Sequence, residues 1–557
     1  MLDRLEQVNV NITFKEQLSL YLRNKRPKYP VMIAEQNSKL HELSDNIRRA
    51  DSIKYIDLDP RQEYLYFNWA YETYSRSIKL VFLEALYSLV GIEELTSVKV
   101  LFTYGDALYI EVKTRPERQD KDKFVAAIKE KMQETIDADF AFKKKIVSRS
   151  AALEHFKKIK MPSKVELLTY RRVSTVTLSC LKEFATYLPG DIAYSTGDLK
   201  VFDLIPFENG MLLLLPDRDN PTQVSKVSEN KKIYNAMHDA IDWGDKVGIN
   251  TVADLNSAIV KKEIDDVILL QESAMERQIV TIADEIYSKK NIKFILVAGP
   301  SSSGKTSFAL RLAIQLKTFG LKPHTISMDN YFINRADMIP GKDGKLDFET
   351  IDVVDIKTFT KDMNELLEGK LVELPEFNFV TGEREYNNNF LRMRQEDILI
   401  IEGIHCLNPK LSEGLPEEKK YKVYVNPLTQ IRLDEDNNIS VSDIRLLRRM
   451  CRDDRTRGRS ATTTIEGWGL VRKGELKNIF PFQENANVIV NTSLIYELLL
   501  LKPFVEPLLY GVYGFDIEYI EAQRLLKFLD FFLSYNDKTV PVNSIVKEFI
   551  GGSYFKV

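Results

Sequence analysis

One short stretch restricts the folds open to this chain of 557 residues more than any other. A continuous apolar run, Phe294 to Ala298, leads into Gly299-Pro300-Ser301-Ser302-Ser303-Gly304-Lys305-Thr306. A helical pattern then runs through Phe308, Leu312, Ala313, Leu316 and Phe319, and Gly320 is placed to stop it. The middle segment fits G-x-x-x-x-G-K-[ST]. Its glycines let backbone N–H groups turn toward phosphate oxygens, and the following helix adds the positive end of its dipole. A strand before and a helix after separate such a cradle from a plain serine-glycine turn. The expected phosphate contacts are therefore Gly299, Ser301, Ser302, Ser303, Gly304, Lys305, Thr306 and Ser307. Lys305 would reach the terminal phosphates of a nucleotide, and the Thr306 hydroxyl a magnesium ion.

The surroundings of the cradle read as a parallel α/β sheet. Further short strands are expected at residues 325–328, 398–401, 423–425 and 488–490, with helical stretches between them. In such sheets ligands sit beyond the carboxyl ends of the strands. Asp329 and Glu402 fall there. One could orient and deprotonate an acceptor hydroxyl, and the other could hold magnesium. Taken singly, each reads as well as a turn aspartate or a solvated strand-end carboxylate; the phosphate loop in the same sheet favours the functional reading.

Between Asp443 and Arg459 stand seven arginines, and Arg445, Arg448, Arg449 and Arg452 are spaced to share one helical face. The cluster suits a lid that closes on transferring phosphates. Asp443, Asp453 and Asp454 leave open a salt-bridged surface helix. A nucleic-acid patch is a third reading, opposed by the lack of interleaved aromatics.

Composition narrows the classes further. With 78 basic and 81 acidic residues the net charge is -3, so no global basic field draws nucleic acid. Cys180, Cys406 and Cys451 lie far apart, which argues against a disulfide framework or zinc module and fits a reducing compartment. The start of the chain shows no apolar signal region, and the run Leu498 to Leu501 is broken by Glu497, Lys502 and Pro503. A cytoplasmic protein without a membrane partner is expected. Residues 226–290 read as a helical connector whose final helix packs on the C-terminal core. Ahead of it lies an α+β region. Phe124, Ile128, Met132 and Ile136 mark one helix, and Ser148 caps another through Leu153 and Phe156. Strands are expected at 107–112 and 200–204.

Four segments in order resemble the uridine kinase and phosphoribulokinase family. They are the phosphate loop, Ser327-Met328-Asp329-Asn330-Tyr331-Phe332, Glu402-Gly403-Ile404-His405, and Arg448-Arg449-x-x-Arg452-Asp453 through Arg457-Gly458-Arg459. The resemblance implies a P-loop kinase domain over residues 291–557, including C-terminal helices. It implies transfer of the γ-phosphate of ATP, with Mg2+, to a hydroxyl of a small acceptor, a ribonucleoside first. By it, Asp329 is the base, and Lys305, Arg452 and Arg457 act in catalysis. Thr306 and Glu402 form the metal site, while Asp329, Tyr331, Phe348, Glu349, Phe377 and Arg449 surround the acceptor. Phe377 stands where uridine kinases have a tyrosine, and Gly382 where they have a base-contacting histidine. A widened pocket with relaxed base selection is therefore expected, unless Arg384 or Tyr386 restores it.

Residues 1–225 resemble the front of threonyl-tRNA synthetase, with a ubiquitin-like TGS module at 1–60 and an editing-like module at 61–225. Residues 124–158 and Tyr194-Ser195-Thr196-Gly197-Asp198-Leu199-Lys200 carry this likeness. The editing family's metal-ligand positions fall on Tyr74, Ile78, Leu188 and Ile192, which supply no such chemistry. A binding or packing role is implied, an RNA contact being one form of it, and a homo-oligomer is expected. The same arrangement resembles bacterial nucleoside kinases with this front end. Two alternatives stay open: a nucleotide-regulated RNA-binding protein, which would need no acceptor base, and a kinase of a non-nucleoside sugar or alcohol.

Overall fold

The structure, a computed structural model, describes residues 8–23, 27–118, 120–227, 230–340, 346–514 and 516–556. A five-stranded, all-parallel sheet organises the C-terminal half. Its strands lie in the order Lys322–Ser327, Asp397–Glu402, Phe294–Ala298, Lys420–Asn426 and Val488–Asn491. Phe294–Ala298 is buried at every position, as an unalternating apolar strand covered on both faces must be. Val297 and Ser327 both register with Glu402, and Asn426 registers with Asn491. The carboxyl ends therefore line one edge, and every loop leaving them opens onto the same side. The second strand stops at Ser327, not at 328, because Met328–Tyr331 turns into a 3-10 helix.

The long helix Ile264–Ser288 docks on this core, as expected. Arg311, buried on the helix Lys305–Thr318, donates to Glu272 at 3.2 Å and to Glu276 at 2.6 Å. The apolar helix stripe alone would leave their register loose; the buried guanidinium sets it.

The front half is α+β. The helix Phe14–Leu22, held by a capping box between Thr13 and Glu16, packs with an antiparallel sheet of Val31–Glu35, Leu40–Glu42 and Lys54–Asp57. The helix Tyr64–Val90 follows and is buried on nearly all sides, so it forms the axis of this half. The helix Lys121–Asp137 buries Ile128, Met132 and Ile136. Ser148 caps Arg149–Lys158 by accepting from the Ala151 N–H at 3.2 Å. Ala107–Thr114 is a strand, but the one expected at 200–204 is Asp203–Phe207. The hairpin turn between Phe207 and Gly210 sets its pairing with Gly210–Leu214, and Asp203 opposite Leu214 is the last rung. Tyr74, Ile78, Leu188 and Ile192 are all buried in apolar core.

A buried polar lock joins the two halves. The Lys164 ammonium meets Asp434 at 3.0 Å and also Asp436, while Thr186 donates to Asp436 at 3.1 Å. Lys79 donates to the Asp436 carbonyl and to Asn437 Oδ1. Each ion has several partners, the condition under which buried charge is tolerated. Among the described residues no helix is long and apolar enough to cross a membrane.

Candidate functional site

The phosphate loop leaves the central strand in a conformation few residues could adopt. A Cβ on Gly299 would sit 2.1 Å from the Val425 carbonyl oxygen, and Gly304 has φ +83°. The loop is held from beneath by its carbonyls. Arg445 Nε donates to Ser301 O at 2.9 Å, Arg448 Nη1 to Ser302 O at 3.4 Å, and Thr492 Oγ1 to Ser303 O at 2.6 Å. Anchoring three successive carbonyls on the core side directs the N–H groups toward the open edge.

Those contacts split the expected arginine lid. The helix Val441–Arg457, capped by Ser440 at one end and left-handed Gly458 at the other, buries Arg445 and Arg448 completely. Arg445 pairs with Glu475, and Arg448 with Glu497 at 2.6 Å. They are buttresses of the loop, because a guanidinium with that many fixed partners has no freedom to close on a ligand. Arg449, Arg452 and Arg457 remain at the site. Asp453 gathers them: Arg452 donates at 2.8 and 3.0 Å, Arg449 stands at 3.3 Å, and Arg457 at 3.6 Å. Burial pushes the Asp453 carboxyl up, but these three guanidiniums hold it below the usual carboxylate range. Arg449 Nη1 also donates to Ser301 Oγ at 2.8 Å.

Asp329, Glu402, Glu349 and Lys305 come together at the strand edge. Burial raises the Asp329 pKa, and Lys305, Arg457 and Arg452 pull against it. Burial likewise pushes Glu402 up to about 7 against Lys305, with Asp329 and Glu548 adding to the rise. Thr306 Oγ1 lies 3.5 Å from Glu402 Oε1, and Lys305 Nζ lies 3.1 Å from Pro300 O. Glu349 is raised by burial and opposed by Arg449 and Lys305. Its placement depends on the helix Ala461–Asn478: Asn478 donates to its carbonyl at 2.9 Å, and a Cβ on Gly474 would meet its own Cβ at 2.2 Å. His405 is buried beside them, and burial lowers its pKa to about 4, so the ring is neutral.

Among the described residues no group of three or more His, Cys, Asp or Glu forms a metal cage. One hydroxyl and one carboxylate, Thr306 and Glu402, suit magnesium, which takes few protein ligands and completes its shell with phosphates and water.

Phe348 and Phe377, expected around the acceptor, belong to one aromatic cluster, their rings 6.3 and 5.6 Å from that of Phe332. Tyr331, expected beside the acceptor, is not brought there. Its side chain is fully buried, its hydroxyl donates to Asp362 at 3.2 Å, and its ring packs edge-on against Phe359. Nor does Gly382 open a space. It has φ +78°, and a Cβ there would lie 2.8 Å from the Arg335 side chain, which fills the position. Arg335 is fixed by donating to the Phe379 carbonyl at 2.8 Å. Arg384 is tied to Asp355 at 3.0 Å. Ser307, expected on phosphate, instead gives both its N–H and its hydroxyl to Glu548.

Several site residues lay beyond sequence reasoning. Asp453, within the arginine motif, reads from the sequence only as a salt-bridge acid and not as the residue that gathers three of the arginines. Glu475, Thr492, Glu497 and Glu548 sit far along the chain without a local signal.

A parallel sheet whose central strand feeds a buttressed phosphate loop, with acids and arginines on the same edge, defines a P-loop phosphotransferase fold. The chain belongs to the phosphoribulokinase / uridine kinase family, whose pattern it matches over residues 294–495. It is 30% identical over 195 residues to a uridine kinase of Lactobacillus helveticus (strain DPC 4571), covering 35% of this chain and 83% of that one. A uridine kinase of Lactobacillus johnsonii (strain CNCM I-12250 / La1 / NCC 533) is 30% identical over 206 residues, 36% of this chain and 87% of its own. One from Proteus mirabilis (strain HI4320) is 29% identical over 199 residues, 35% of this chain and 84% of its own.

Proposed function

We propose that this chain is an ATP-dependent kinase of a hydroxyl on a small acceptor, a ribonucleoside first among them. The observation that carries the reading is the placing of Asp329 beside Lys305, Arg452 and Arg457 at the edge where the phosphate loop opens. Asp329 takes the proton of the acceptor hydroxyl as its oxygen bonds to the γ-phosphorus and the bond to ADP breaks. Its raised pKa brings the base nearer to neutral pH, where proton transfer is effective. Lys305 and the three guanidiniums gathered by Asp453 balance the charge that spreads over the transferring group. Thr306 and Glu402 would hold magnesium, which supplies further neutralisation of the β- and γ-phosphates.

The ribose preference rests on Glu349. One of its carboxylate oxygens is buried without a hydrogen-bond partner among the described residues, so it can accept from a vicinal diol. Phe348 and Phe377 would wall the sugar and base. The relatives named as uridine kinases support a nucleoside acceptor. We assign residues 1–60, 61–225 and 226–290 as TGS-like, editing-like and connecting modules with a binding or packing role, in front of the kinase domain at 291–557.

The test is ADP release across ribonucleosides, their 2′-deoxy forms and phosphosugars. Ribonucleosides should turn over fastest, and Lys305→Ala should stay folded yet lose activity by orders of magnitude. Near-normal turnover by folded Lys305→Ala refutes the assignment. Inactivity on every nucleoside moves the acceptor to a sugar or alcohol of another kind.

A further inference from the structure

The first turn of a helix carries N–H groups with no partner inside it. In the helix Lys305–Thr318 the third residue is Ser307, whose N–H is one of these first-turn donors and whose side chain is buried. In this structure they are taken. Glu548, 241 residues further along, accepts from the Ser307 N–H at 3.2 Å and from Ser307 Oγ at 2.7 Å, both through Oε2. A carboxylate at this point meets the electrostatic demand a phosphate would meet: negative charge at the positive helix end, aimed at free donors.

The residues around Glu548 lie across the same loop. Ile545 Cγ2 stands 2.5 Å from where a Cβ on Gly304 would be. The Phe549 ring lies 4.9 Å from the guanidinium of Arg448, the residue that holds the Ser302 carbonyl. Arg455, on the arginine helix, donates to the carbonyls of Glu548 at 2.7 Å and Phe549 at 3.4 Å. Ser544 is anchored on Glu272, and beyond Ile550 the chain turns away through Gly551 and Gly552, with φ 93° and 74°. Ile545, Val546 and Phe549 are wholly buried and Glu548 nearly so. The segment thus bridges the loop, the loop's helix and the arginine helix.

We propose that residues 544–550 form an autoinhibitory plug, in which Glu548 occupies the helix-end donors at Ser307 and nucleotide enters only when this carboxylate withdraws. The inference rests on the nucleotide reading of the loop. A phosphate and a carboxylate cannot share one N–H and one hydroxyl at contact distance, so the two occupants exclude each other. Glu402, already raised by Glu548, would feel the same release. Because only the withdrawn form binds, the observed affinity is the intrinsic one reduced by the fraction withdrawn. By linkage, anything that captures the segment favours nucleotide to the same degree.

The test uses the full chain. ATP binding is measured by calorimetry for the wild type, Glu548→Gln, Glu548→Ala and Glu548→Ala combined with Lys305→Ala. The two single variants, checked for an intact melt, should bind at least about tenfold more tightly, and the double variant should lose most of that binding. Hydrogen exchange on the wild type adds a readout free of substitutions: ATP should speed exchange at residues 545–550. Unchanged or weaker binding by the folded Glu548 variants overturns the plug while leaving the kinase assignment standing. Slower exchange at 545–550 on adding ATP overturns it too, since the segment would then be a wall of the site. Failure of every form to bind ATP overturns the nucleotide reading, and the plug with it.

Discussion

Lowering the pH from 8 to 6 should weaken magnesium–ATP binding through one group, Glu402. It closes the strand Asp397–Glu402 with its carboxyl 3.5 Å from the Thr306 hydroxyl, and burial pushes its pKa from the ordinary 4.5 to about 7. A cation needs the ionised carboxylate. With a pKa near 7 the group is about nine-tenths ionised at pH 8 and about one-tenth at pH 6, so the observed Kd should rise about tenfold. Glu402→Gln should bind more weakly at pH 8 and show a flatter profile. Titration with a fluorescent ATP analogue at fixed free magnesium reads both. A wild-type Kd constant over this range, or an equal slope in the variant, refutes the reasoning. Folding supplies a second check. The folded chain holds this proton up to about pH 7, whereas an unfolded carboxyl releases it near 4.5. The folded state therefore binds more protons inside that window, and this group's contribution to stability is lost as pH rises through it. Relative to wild type, the thermal midpoint of Glu402→Gln should climb between pH 5 and pH 8.

Three further outcomes follow from the site. Asp329→Asn should keep its ATP affinity while kcat falls about 10²–10⁴-fold; lost ATP binding with kcat retained would pass the base role to Glu349 or Glu402. Glu497→Gln leaves the buried Arg448 without its carboxylate, a change that typically costs about 3–5 kcal/mol. A melt should show it as a lower midpoint together with weaker nucleotide binding, because Arg448 also holds Ser302 and Thr492; an unchanged melt would mean the pair is not desolvated. Arg335→Ala empties the space above Gly382 and should raise purine over pyrimidine ribonucleoside rates. An unchanged ratio in ADP-release assays removes Arg335 from the acceptor pocket.

Some of this molecule is written in local stretches of chain. A buried strand, the glycine spacing of the loop and the helix after it are set by periodicity and backbone freedom within about twenty residues, so the P-loop fold of residues 294–320 is legible directly. Asp329 and Glu402 are legible for a related reason, since a parallel sheet gathers its strand ends on one edge. Tertiary packing decided the rest. One helix face carries Arg445, Arg448, Arg449 and Arg452 within two turns, yet Glu475 and Glu497 draw the first two into the core and Asp453 pairs with the others. Gly382 suggests an empty pocket until Arg335, 47 residues earlier, is seen to fill it. Tyr331 sits in the same motif as Asp329, yet its hydroxyl donates to Asp362. Glu548 reaches Ser307 across 241 residues. Such contacts depend on which distant carboxylate or guanidinium folding brings within hydrogen-bond reach, and no local pattern encodes that distance.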